Sequence, residues 1–232
     1  MNSPGKRVYL QHLVQGKNEA FRPLTDDERA LGFLGWHERG YLPHCDYPGL
    51  TQLITFRLAD SMPAARRGEW EHLLSIEDTT EKRTKLEEYL DCGVGTCALR
   101  DADIAQRMEG ALQHFHGDRY ELLAWVVMPN HVHVLVQIWM MPMSKLVRSW
   151  KRHIAGAPQS LRRETEDDTV APQGLRRSFW EREYWDTHMR DEEQERKAIR
   201  YIENNPVKAR LCLDPAAFPW SSARHRNPQP GH

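Results

Sequence analysis

Several familiar features are missing from this 232-residue chain, and each absence removes a class of function. Net charge is almost nil: 32 Lys and Arg stand against 33 Asp and Glu, a formal −1. A general polyanion binder carries a large positive excess, so any nucleic-acid contact here depends on cations concentrated locally. The four cysteines, Cys45, Cys92, Cys97 and Cys212, form no CxxC pair. That argues against a zinc knuckle or a disulfide framework and suits free thiols in a reducing cytosol. No apolar run approaches the roughly 20 residues that span a bilayer, and the opening stretch MNSPGKRVYLQHLVQGKNEAF has no apolar signal core. A cytoplasmic protein with no membrane partner is expected. There is no P-loop signature, no HExxH pair, no internal repeat and no low-complexity tract.

What is present describes one soluble globular domain. Hydrophobic residues make up 40% of the chain and charged residues 28%, enough to build a core and clothe it. Residues 1–24 are polar and aperiodic and read as a flexible arm, residues 25–225 as a single domain, and residues 226–232 as a tail. Within the domain, Thr25 to Glu28 look like the cap of a short helix running to Leu34, and residues 40–44 read as extended or turn-like. Residues 50–58 are β-branched and apolar, a strand. Residues 63–90 are helical, broken at Gly93 and Gly95. Ile104, Met108, Leu112 and Phe115 recur at helical spacing behind a capping Asp101.

The strongest β signal follows. Residues 120–128 and 131–138 are two apolar runs joined by Pro129-Asn130, a hairpin in the middle of a sheet. A helix over 144–154, a mobile charged loop over 155–177, a short strand over 179–185 and a helix over 191–205 complete the order. Asp191 and Gln194 have capping-box spacing, and Pro206 is expected to stop that helix and push Asn205 toward extended backbone. The arrangement is α+β, a βαββαβ-like, ferredoxin-like antiparallel sheet with helices packed on one face.

Two constellations carry chemistry. His131-Val132-His133 lies in a predicted central strand, where alternate side chains share a face, so both imidazoles point the same way and Val132 points into the core. Such a pair is either a chelate for a divalent cation or two polar residues alternating with core valines. Tyr201 and Asn205 are four apart and share a helical face if the last turn holds. They are either a functional pair or a rim aromatic and a helix C-cap. Lys145, Arg148 and Arg152 fall on one side of the 144–154 helix, with Trp150 and His153 between them. This is either a backbone-tracking stripe with stacking aromatics or a solvated face with Trp150 in the core.

The run 124–136, AWVVMPNHVHVLV, closely resembles the HUH signature (histidine, hydrophobe, histidine) of the REP-associated tyrosine transposases, single-tyrosine HUH enzymes. The run 200–209, RYIENNPVKA, resembles the tyrosine motif of that family. GYLPH at 40–44, TFRL at 55–58, ALRD at 98–101 and WSS at 220–222 follow the family order, so the resemblance spans roughly residues 22–225. It implies that Tyr201 is the nucleophile and that His131, His133 and Asn205 hold Mg2+ or Mn2+. It implies a single-stranded or hairpin DNA substrate, cleaved and rejoined through a 5′-phosphotyrosine, and places Arg57 and His44 near that DNA. A monomer and a homodimer are equally compatible. Arg210 departs from the family, which commonly has glycine there. The alternatives are a catalytically inactive hairpin-DNA-binding regulator, a metal-dependent hydrolase that works through activated water, and a replication or conjugation nickase.

Overall fold

The structure is a computed structural model and describes residues 22–39, 42–76, 79–155 and 178–226. The N-terminal arm up to residue 21 and the charged loop from residue 156 lie outside the described residues. The described elements in chain order are α1 (Asp26–Leu31), β1 (Gly35–Arg39), β2 (Leu42–Asp46), β3 (Thr51–Arg57), α2 (Arg67–Ser75), α3 (Thr79–Asp91), α4 (Ala102–Gln113), β4 (Tyr120–Val127), β5 (His131–Ile138), α5 (Met143–Ala155), β6 (Trp185–His188) and α6 (Glu192–Lys208). None of the described helices is long and apolar enough to cross a membrane.

Four strands form the central sheet in the order β4-β5-β3-β6, every neighbouring pair antiparallel. Counted among themselves from the β6 edge, these strands run fourth, first, third, second. That is the ferredoxin-like order the sequence suggests. β5 is internal, flanked by β4 and β3, so the His131–His133 pair sits on a central strand. β1 and β2 pair as a separate hairpin ahead of this unit, which the sequence reading missed beyond an extended segment near residue 44.

Alternation sorts the sheet residues onto two layers. Ile54, Phe56, Val132, Val134 and Val136 join Met108 and Leu112 of α4 and Leu146 and Trp150 of α5 in the larger core. Leu53, Ala124, Val126 and Leu135 point the other way and meet Ala198 and Ile202 of α6. Helices therefore cover both faces, not one. The two crossover helices obey the expected pattern, and the added C-terminal helix takes the face they leave open.

Local chemistry explains the helix ends. At α1, Thr25 Oγ1 accepts the Glu28 N–H at 3.3 Å while Glu28 Oε2 accepts the Thr25 N–H at 2.8 Å, a complete capping box. At α6, Asp191 Oδ1 accepts the Gln194 N–H at 2.8 Å, but the Gln194 side chain accepts the N–H of Arg190, one residue before the cap. The short strand expected over 179–185 begins only at Trp185, where pairing with Thr55 starts.

Pro206 does not end α6, contrary to the expectation from sequence: the helix runs on to Lys208. Proline removes one intrahelical donor, yet the turn is closed by Ala209 N–H to Asn205 O at 2.9 Å and Leu211 N–H to Pro206 O at 2.8 Å. With Arg210 N–H to Val207 O, also 2.9 Å, this is a Schellman termination whose left-handed residue is Arg210, at φ 58°. Glycine fills that position most cheaply because an L side chain there crowds the backbone. Arg210→Gly is expected to raise stability by about 1 kcal/mol, read as a higher urea midpoint at unchanged m-value. A lower midpoint would mean that the Arg210 side chain contributes more than its backbone costs.

Candidate active site

The histidine pair is set by register. His131 and His133 lie opposite Arg57 and Thr55 of β3, and both imidazoles are buried. Each ring is fixed through Nδ1. Asn130 Nδ2 donates to the carbonyls of Leu90 and Val94, at 3.2 and 3.1 Å, which turns Asn130 Oδ1 toward His131 Nδ1 at 2.7 Å. His131 therefore donates from Nδ1 and keeps its lone pair on Nε2. His133 Nδ1 shares a 2.8 Å hydrogen bond with Thr55 Oγ1, its direct cross-strand neighbour. The two Nε2 atoms are left facing each other at 3.0 Å. Burial, and then the nearby charge of Lys208, push the His131 imidazole down to about 3, so it is neutral at physiological pH.

α6 lies across the same sheet face, anchored by the fully buried Ile202. Tyr201 packs its ring edge-on against His133, centroids 5.4 Å apart at 73°. Asn205 follows one turn later on the same helix face. It is wholly buried, and neither Oδ1 nor Nδ2 has a hydrogen-bond partner among the described residues. An unmet buried amide costs about 1–3 kcal/mol, so its presence in a folded core calls for something that binds there.

Those donors suit a divalent cation. A separation of 3.0 Å is that of two neighbouring ligand atoms on one ion with bonds of about 2.1 Å. Both imidazoles have Nδ1 tied back, the outer-shell pattern that orients a ligating histidine. Asn205 offers a third donor with no competing bond. The set is neutral, two imidazoles and one amide, and imidazole suits Mn2+, Co2+ and Zn2+ as well as a harder ion. Beside it, Lys208 Nζ stands 3.2 Å from Asp91 Oδ2, a carboxyl that burial raises above its ordinary range against the opposing charge of Lys208.

Of the remaining sequence-predicted residues, Arg57 lies opposite His131 in the ladder and the others fall elsewhere. Lys145, Arg148 and Arg152 are exposed on α5, across the sheet from Tyr201, and Lys145 donates to Leu31 O at 3.2 Å. Trp150 is buried between Tyr120 and Phe56, so it belongs to the core and is not a stacking platform. Arg57 is buried, donating to Ser61 Oγ at 3.0 Å and paired with Glu181 at 3.1 Å. His44 is buried with Nδ1 2.5 Å from Asp186. Burial separates both from the exposed cations of α5. The sequence reading missed Asn130, Thr55 and Lys208. Adjacency to His131 and the alternation of the 51–57 strand were the available signals for the first two.

The orphaned amide generates a test. Asn205→Leu is expected to stabilise the metal-free protein by about 1 kcal/mol, since an apolar side chain replaces unmet polar atoms. The same change, like His133→Ala, is expected to weaken Mn2+ binding at least tenfold in calorimetric titration. Unchanged Mn2+ affinity in both variants would remove these residues from the cation site.

The family model for IS200-like transposases matches residues 98–205, from the turn before α4 through Asn205. A solved structure of a REP-associated tyrosine transposase bound to a REP hairpin is similar at 17% identity, covering 82% of this chain and 83% of that one, with a TM-score of 0.46. No curated protein matches. The segment matched by the IS200-like transposase model is the one that carries both histidines, the tyrosine and the asparagine.

Proposed function

We propose that this protein is a DNA strand transferase that binds single-stranded hairpin DNA and cuts and rejoins it through a 5′-phosphotyrosine at Tyr201. The observation that carries the reading is the convergence, on one sheet face, of a helix-borne tyrosine with two imidazoles whose Nε2 atoms face each other and a buried amide without a partner. A structural tyrosine would need none of that company.

Each residue has a part. The ring contact with His133 fixes where the Tyr201 phenol can point. His131, His133 and Asn205 would hold Mg2+ or Mn2+, which supplies charge neutralisation at the scissile phosphate. Thr55 and Asn130 orient the imidazoles and keep Nε2 available. Lys208, tethered by Asp91, places a positive charge beside His131, suited to a phosphate oxygen.

In the forward step the Tyr201 phenolic oxygen attacks phosphorus, forming the Tyr–O–P bond as the P–O3′ bond breaks. The phenolic proton is lost and the departing strand ends in a 3′-hydroxyl. One phosphoester replaces another, so no nucleotide cofactor is consumed. A 3′-hydroxyl attacking the phosphotyrosine reverses the exchange and joins strands.

Labelled single-stranded hairpin DNA taken from repeats flanking the gene, incubated with Mn2+, is expected to yield a denaturation-resistant protein–DNA band. Tyr201→Phe should abolish that band and leave hairpin affinity within about twofold. Tight hairpin binding with no band in the wild type would instead support an inactive hairpin-binding regulator. Turnover without an adduct would support a hydrolase.

A further inference from the structure

We propose that the groove between the end of β6 and the first half of α6 is a binding site for the unpaired nucleotides that flank the bond cut at Tyr201. The inference rests on the transferase reading above and extends it to substrate contacts that neither the α5 cations nor the histidine site supplies.

The groove has a volume of about 470 Å³ and counts Tyr201 among its lining residues, a size typical of small-ligand sites. Its floor is apolar, formed by the buried Leu53 and Ala198. Arg190 and Lys197 line it with exposed side chains, and the half-buried Gln194 lies between them in sequence. The Arg190 guanidinium makes no ion pair among the described residues. Among the described residues Lys197 pairs with Glu193, at 2.7 Å in an exposed i,i+4 contact, which is weak enough to be displaced by a phosphate. Gln194, Lys197, Tyr201, Asn205 and Lys208 recur every three or four residues and share one face of α6. The face that lines the groove is thus the face that presents the nucleophile.

A second observation lies beyond His188, another lining residue. Trp36 stands edge-on to the His188 ring, centroids 6.1 Å apart, and is 47% exposed. A tryptophan so exposed beside a cationic groove is a stacking platform, because every base offers a π-face when it is unpaired. Burial, and then the Arg190 charge, hold the His188 imidazole below its ordinary range. The ring is therefore neutral and adds an aromatic surface without adding charge. Cations for phosphates, an apolar floor and an indole for bases together match a single strand and not a duplex, whose bases are already stacked.

The test uses the full chain carrying Tyr201→Phe, so that binding is read without chemistry. Fluorescence anisotropy follows a labelled, mixed-sequence single-stranded oligonucleotide and its duplex over a salt series. Trp36→Ala is expected to weaken single-strand binding about tenfold and Trp36→Phe to recover most of the loss. Arg190→Ala combined with Lys197→Ala should also weaken it about tenfold and lower the salt slope by about 1.4, two phosphates at roughly 0.7 each. Duplex affinity should stay unchanged. With Tyr201 restored, the same variants should need about tenfold more DNA for half-maximal adduct while keeping the rate at saturation. Wild-type affinity and slope in all groove variants, with normal adduct formation, would overturn the groove and leave the transferase standing. Groove-dependent single-strand binding with no adduct would do the reverse.

Discussion

Everything in the site depends on the antiparallel pairing of β3 with β5. That ladder lies in the middle of the sheet, so all its residues but Gln137 are buried, and the register fixes which atoms meet. Thr55 finds His133 because the two are directly opposite. Val132 and Val134 enter the larger core for the reason that sends His131 and His133 the other way. A one-residue slip would exchange the two sets, placing imidazoles among the apolar side chains of α4 and valines under α6. The core thereby specifies the chemistry: the valines that hold α4 and α5 aim the histidines.

The second half of the site is delivered by a helix that the ferredoxin-like unit does not require. α6 covers the face that the crossover helices leave open, with Ala198 and Ile202 as its hydrophobic contacts. It is stapled further by Ser222, whose hydroxyl donates to Glu203 at 2.7 Å and accepts the Trp125 N–H at 3.1 Å, and by the Val127 N–H to Trp220 O bond at 2.9 Å. The WSS stretch thus ties α6 to β4 after the chain has left the helix. Its place in the sequence resemblance has a physical basis in that tie.

Period-2 alternation made the central hairpin and the orientation of the histidine pair legible in the sequence. Asp101 and the Thr25–Glu28 box marked helix starts through chemistry that acts within a few residues. What the sequence concealed were matters settled by distant partners. Pro206 looked like a stop because local rules weigh its missing donor. They do not see that Ala209 and Leu211 reclose the turn, or that the proline is buried. The resemblance placed Arg57 and His44 near DNA, but their partners Glu181 and Asp186 stand more than a hundred residues away in sequence. Trp150 carried both readings, and burial against Tyr120 and Phe56 chose between them. The departure at Arg210 was legible as a change of letter, and the positive φ explains why that letter matters.

That α6 continues unbroken through Pro206 turns the relation of Tyr201 to Asn205 into one of phase. Each residue advances the helix by about 100°, so one residue inserted or removed between them would swing the amide a quarter-turn or more away from the histidines. The four-residue interval is therefore rigidly constrained, whatever fills it. A change of length outside α6 leaves that angle alone, provided that α5 keeps its core contacts, β6 still pairs and Ile202 still docks. Length variation in such a protein should accumulate before the helix and never inside that interval.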